Sequence, residues 1–300
     1  MNHLPLLVRR EFWEHRAFVI APAVVAAILL LGAMFGHMDF GGASVKFTEQ
    51  PELMEKHVAI IGGILTALAL PYLIVIGCVI VFYLLDCLYA DRKDRSVLFW
   101  KSLPVSDRST VLAKLVTAAV VLPLLTFGAI VLSNFVFALI ESIRSSIGGH
   151  DIWALVWEPY AWFGAHALIL YGIVAAMLWY LPLVAWLLLV SAWARRAVIL
   201  WAVLPPLMAM FLEKVLFDTS YFAGVLRGRF VGWIDAALRS DPSGERLIII
   251  DGETTPWSAR IESIVDPTGF LASPGLWIGI VVAGLFVWAA IVARRHRTDT

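Results

Sequence analysis

Six apolar runs, each about the length of a bilayer crossing and free of formal charge, constrain this chain more than any other feature. They fall at about Ala17 to Met38, Val58 to Leu85, Leu115 to Ile140, Pro159 to Ala194, Ala197 to Leu212 and Gly275 to Ala293. A hydrocarbon core about 30 Å thick takes roughly 20 helical residues to cross. That core offers the backbone no hydrogen-bond partner, so a crossing segment must bond to itself. Helices do so. The short alternating strands of a membrane barrel are not present in the sequence. The expected fold is all-α: one polytopic membrane domain over residues 1–300 with six transmembrane helices. Composition agrees, since 61% of the 300 residues are hydrophobic and 15% charged, whereas soluble domains lie nearer half and a quarter.

The fourth run exceeds what a crossing needs, so part of it must tilt or project. The fifth is short and contains Pro205-Pro206. Further prolines at Pro71, Pro123 and Pro182 are expected to kink the second, third and fourth spans, either as bending points or as plain packing kinks. Gly32 and Gly36 form one G-x-x-x-G, a pattern that permits close helix approach.

Orientation follows from the basic residues near the ends of the spans. Fourteen lie on one side: Arg9, Arg10, Arg16, Arg92, Lys93, Arg95, Lys101, Arg108, Lys114, Arg195, Arg196, Arg294, Arg295 and Arg297. The two short loops opposite hold only Lys46, Lys56 and Arg144. The richer side is expected to be cytoplasmic, with both termini on it. Arginines and glutamates precede the first run and no small-residue cleavage site follows, so that run is read as a retained span.

Residues 1–16, with Leu4, Val8 and Phe12 at helical spacing among arginines, are expected to form an interfacial helix against membrane lipids. Residues 213–273 are expected to form an extracytoplasmic segment, with a helical pattern near 220–240 and a strand and turn at Leu247–Ile250. Trp153, Trp157 and Trp162 suit either an aromatic belt or packing between helices. Net charge is zero and gives no reason to expect a nucleic-acid partner. Cys78 and Cys87 lack metal or disulfide spacing. The glutamates and His15 near the N-terminus lack the H-E-x-x-H order. No cofactor, metal or catalytic set is expected.

Residues 86–109 interrupt this apolar chain with charge: DCLYADRKDRSVLFWKSLPVSDRS. Val97, Leu98, Phe99, Trp100 and Leu103 make an apolar stripe on a short helix, which Pro104 ends. Ser106 or Asp107 can cap the next helix. Lys114 is expected to snorkel to the inner face, and Glu141 and His166 to sit near the outer interface. A short helix held between two spans can be pushed from the cytoplasm, and the push passes into both.

These residues resemble the permeases of type-2 ABC transporters. The resemblance lies in the charged cluster Asp91-Arg92-Lys93-Asp94-Arg95, then Ser102-Leu103-Pro104-Val105-Ser106, then Lys114 eight residues after Ser106. In wording it covers about residues 86–115; in architecture, nearly the whole chain. Asp94-Arg95-Ser96 departs from the family's acidic-Gly-Thr signature, and Trp100-Lys101 from a more apolar pair. The resemblance implies a coupling loop that meets an ATPase through Asp91, Arg92, Asp94, Arg95, Trp100, Leu103 and Pro104. It also implies a second permease subunit, identical or different, two ATPase subunits, a bacterial inner membrane and, by its lean, export. The chain has no G-x-x-x-x-G-K-[ST] loop, so ATP hydrolysis is expected on a separate polypeptide and no enzyme activity on this one. The alternatives are a membrane anchor or scaffold for a soluble ATPase, or an intramembrane enzyme. The latter lacks clustered catalytic residues within the spans.

Overall fold

The computed structural model describes residues 4–35, 51–93, 106–148, 153–238 and 264–296. The stripe helix at 97–103, the strand at 247–250 and Gly36 lie outside the described residues. In order, the helices are α1 (Leu4–Glu14), α2 (Ala17–Phe35), α3 (Pro51–Ala67), α4 (Leu70–Lys93), α5 (Asp107–Val116), α6 (Leu122–Ile147), α7 (Trp153–Val156), α8 (Pro159–Trp193), α9 (Val198–Phe217), α10 (Tyr221–Ala237), α11 (Pro267–Ala272) and α12 (Pro274–His296). Among the described residues six segments are long and apolar enough to cross a membrane: Ala17–Phe35, Val58–Lys93, Asp107–Ile147, Pro159–Trp193, Val198–Phe217 and Pro274–His296. The protein is an all-α, multi-pass membrane protein.

Local chemistry sets where these helices begin and bend. Ser106 caps α5: its Oγ accepts a hydrogen bond from the Ser109 amide at 3.1 Å, which satisfies one of the free donors of a first turn. Glu158 does the same for α8 through the Ala161 amide at 2.7 Å, with Pro159 in the first position, where a missing N–H costs nothing. The second span breaks at Leu68–Ala69, just before Pro71 in the first turn of α4. The third widens into a π turn at Thr117–Val121, immediately before Pro123. Proline cannot donate to the carbonyl four residues back, and the wider turn is where the helix absorbs that loss. Pro22, Pro182, Pro205 and Pro206 lie inside unbroken helices.

The 35-residue α8 is the central post, and α3, α4 and α12 all pack on it. One buried cluster joins Phe18, Leu84, Leu88, Val111, Leu122, Leu188 and Ala290. A second joins Val25, Tyr72, Ile130 and Ile173 farther along the bundle. Ala197 takes a left-handed conformation (φ 49°), which a residue with a Cβ adopts at a cost of about 1–2 kcal/mol. That turn folds α9 back, burying Val198 and Ala202 against Val190 and Ala194. Trp186 Nε1 donates to the Ala202 carbonyl at 3.0 Å. Beyond Ala202, α9 is largely exposed. Gly32 is open rather than closely packed.

Glu213 bridges the turn from α9 to α10, accepting from Thr219 Oγ1 at 2.8 Å and from the Tyr221 and Phe222 amides at 2.6 and 2.8 Å. The helix α10 then returns to the post. Trp179 Nε1 donates to the Gly228 carbonyl at 3.2 Å, and Tyr171 OH to the Ala237 carbonyl at 2.8 Å. Arg229 reaches between α8 and α12. Its guanidinium lies 4.8 Å over the Trp179 ring and donates to the carbonyls of Trp179 and Gly275. Burial pushes its pKa below the ordinary arginine value. Gly279 leaves the room this needs, since a Cβ there would lie 2.6 Å from Arg229 Nη1. An antiparallel bridge pairs Leu238 with Val265, and the Asp266 amide donates to the Ala237 carbonyl at 2.9 Å.

Candidate functional site

Four helices bring charged side chains together at one end of the bundle. Lys114 of α5 places Nζ 2.9 Å from Glu11 Oε1 of α1 and 3.6 Å from Asp91 Oδ2 of α4. Arg294 of α12 places Nη1 3.1 Å from that same Asp91 oxygen and Nε 3.2 Å from Asp107 Oδ1. Tyr83 OH donates to the other Glu11 oxygen at 2.8 Å. Lys114 is 1% exposed, Glu11 2%, Arg294 5% and Asp91 7%. Charges this buried persist only when paired and hydrogen-bonded.

The network has a particular topology. Asp91 lies near the end of α4 and Asp107 opens α5, so the two stand on either side of residues 94–105. A single guanidinium joins them. Lys114 adds the N-terminal helix, and Arg294 belongs to the last turn of the last span. Both ends of the described chain and both flanks of the 94–105 segment therefore meet at one end of the bundle. That agrees with an even number of crossings.

Arg92 holds a second seam. Its Nη2 donates to the carbonyls of Ser191 and Ala194 at 2.6 and 2.8 Å, where α8 ends. Ser191 Oγ in turn accepts from the Leu88 and Tyr89 amides, each at 3.1 Å. Of the expected coupling residues, Asp91 and Arg92 thus direct their charged groups into the bundle. Asp94, Arg95, Trp100, Leu103 and Pro104 lie outside the described residues.

One residue, Lys114, sits differently from its sequence expectation. Lys114 does not snorkel: Glu11 and Asp91 make a buried position affordable for its ammonium group. The helix α1 packs on α5 through buried Leu7 and Glu11 while exposing Leu6 and Trp13. At the far end His166 is buried, with Nδ1 2.8 Å from the Trp162 carbonyl and Nε2 3.4 Å from Asn134 Nδ2. Glu141 is also buried there, 3.6 Å from Arg144. Trp157 stacks on Trp162 and meets the edge of Phe135, while Trp153 is exposed.

Glu11, Glu14 and His15 could bring ligand atoms within 4.8 Å of one another. Glu11 is already committed to Lys114 and Tyr83, however, which leaves that trio poorly suited to a cation. What the larger network can do is mechanical. It rigidly ties the flanks of one short segment to four helices. No family model, no curated protein and no solved structure matches the chain.

Proposed function

We propose that this chain is the membrane-spanning permease subunit of an ATP-driven ABC transporter, working as an exporter in a bacterial inner membrane with both termini in the cytoplasm. Residues 86–109 are its coupling loop. ATP is hydrolysed by separate ATPase subunits docked beneath it, and a second permease subunit completes the pathway. The chain itself carries out no covalent chemistry.

The observation that carries the reading is the Arg294 clamp between Asp91 and Asp107. A motor acting on residues 94–105 needs that segment to be stiffly joined to the spans. Here both of its flanks are fastened to one guanidinium, and through Lys114 to α1. Displacement of the loop then moves α1, α4, α5 and α12 together rather than bending the loop alone. The wording of residues 91–106 and the clustering of basic residues at this end support the same reading. Asp91 and Arg92 act in it as internal fasteners, and the contact with the motor falls to Trp100, Leu103 and their neighbours.

Co-purification tests it. A mild-detergent extract of cells expressing the tagged chain should carry an ATPase polypeptide, and substituting Trp100 or Leu103 with Ala should release it. A chain that purifies alone and works in vesicles without any nucleotide-binding partner would end the proposal.

A further inference from the structure

A groove of about 800 Å³ runs between α2, α4 and α9, within the usual range for small-molecule sites. We propose that it binds an amphiphile with a cationic head, and that the Asp86 carboxylate receives that head. The inference rests on the transporter reading only in making this molecule the cargo; the binding site stands on its own geometry.

The groove is polarised along its length. One face of α4 supplies Val75, Cys78, Val79 and Phe82, then Asp86 and Tyr89. His15 lies at the polar end as well, and Asp86 is the one formally charged residue among those lining the groove. Eight residues of helix separate Cys78 from Asp86, about 12 Å at 1.5 Å per residue. A tail lying along α4 therefore has an apolar bed while its head remains at the carboxylate.

Among the described residues Asp86 is also the one carboxylate of α4 without a partner. Five residues on, Asp91 is buried between Lys114 and Arg294. Asp86 makes no hydrogen bond or ion pair among the described residues and is exposed toward the groove. The basic group one helical turn and a half along α4, Arg92, is already held by the carbonyls of Ser191 and Ala194. His15 Nδ1 sits 3.1 Å from the Glu11 carbonyl. The protein thus offers negative charge at the wet end of an apolar bed, and the complementary molecule is a cationic amphiphile.

The chain carries its own reporter. Cys78 is exposed in the groove, while Cys87 is buried. The full chain is reconstituted in vesicles without ATPase or nucleotide. Cys78 labelling by N-ethylmaleimide is then followed by mass spectrometry in the presence of dodecyltrimethylammonium, dodecyl maltoside or dodecyl sulfate. The cation should protect at roughly fivefold lower concentration than the neutral probe, as expected of one charge pair at a wet interface. Asp86→Asn should erase that preference and leave protection by the maltoside unchanged, and Asp86→Glu should retain it. Equal protection by all three probes, or a cation preference surviving Asp86→Asn, overturns the proposal. So does a Cys78 that resists labelling without any probe and crosslinks to Cys78 of a second copy, because the groove is then an interface. A cation preference without a co-purifying ATPase would defeat the transporter reading alone; the reverse result would defeat this one alone.

Discussion

Lys114 Nζ lies 2.9 Å from Glu11 Oε1 across 103 residues of sequence, and both side chains are withdrawn from solvent. The pair joins the N-terminal helix to the first turns of the third span. Without Lys114, Glu11 keeps the Tyr83 hydroxyl but no cation.

Lys114→Met should therefore be among the most damaging single substitutions in the protein. It leaves Glu11 with no cation beside it and takes one cation from Asp91. Loss of one partner from a buried pair costs about 3–5 kcal/mol. Thermal unfolding in detergent measures it, and adding Glu11→Leu should restore part of the loss. A Lys114→Met protein as stable as the parent would show that the pair contributes nothing.

Arg294→Lys separates charge from shape. An ammonium is a compact point charge and cannot reproduce a planar fork that meets two carboxylates, here Asp91 and Asp107. On the transporter reading, the variant should fold and still bind the ATPase. Its cargo-stimulated hydrolysis should fall about tenfold, within the range usual for coupling between sites. Unchanged stimulation would remove Arg294 from the coupling path.

Arg92→Lys tests the other seam. The guanidinium binds two carbonyls at the end of α8, and lysine would keep at most part of that arrangement. A loss of about 1–2 kcal/mol is expected, in line with hydrogen bonds from a charged donor. Hydrogen exchange should quicken at residues 88–92 and 191–194 and nowhere else. An even change over the whole bundle would argue against a local seam.

Gly279→Val should push Arg229 out from between α8 and α12, because even a Cβ at this position meets the guanidinium at 2.6 Å. Overpacking of this kind costs about 1–3 kcal/mol. Faster exchange of the α10 amides than of α8 would be the signature, and an α10 protected as before would refute it.

The spans were legible because a bilayer imposes a length and an apolar composition that survive any detail of packing. Ser106 as a cap was legible too, since its effect reaches only three residues. The charge network was not. Glu11 and Lys114 are far apart in sequence, and no local pattern records which distant carboxylate a lysine will meet. One clue was present: a lone lysine at the border of an apolar run has to snorkel or find a partner. The snorkelling reading failed because Glu11, set among arginines in α1, reads as a surface charge until α1 is packed on α5. Proline was ambiguous for a similar reason. Pro71 and Pro123 fall at a break and a widened turn, whereas Pro182 and Pro205-Pro206 lie in continuous helices. The residue type is the same, and the neighbouring helices decide.

The clasp between Leu238 and Val265 has a consequence for how this protein can change over evolution. The two residues are neighbours in space though far apart in sequence. Closing the chain between two such points grows only logarithmically dearer with each added residue. The number of residues between the two positions can thus vary at little cost, so long as Leu238 and Val265 still pair.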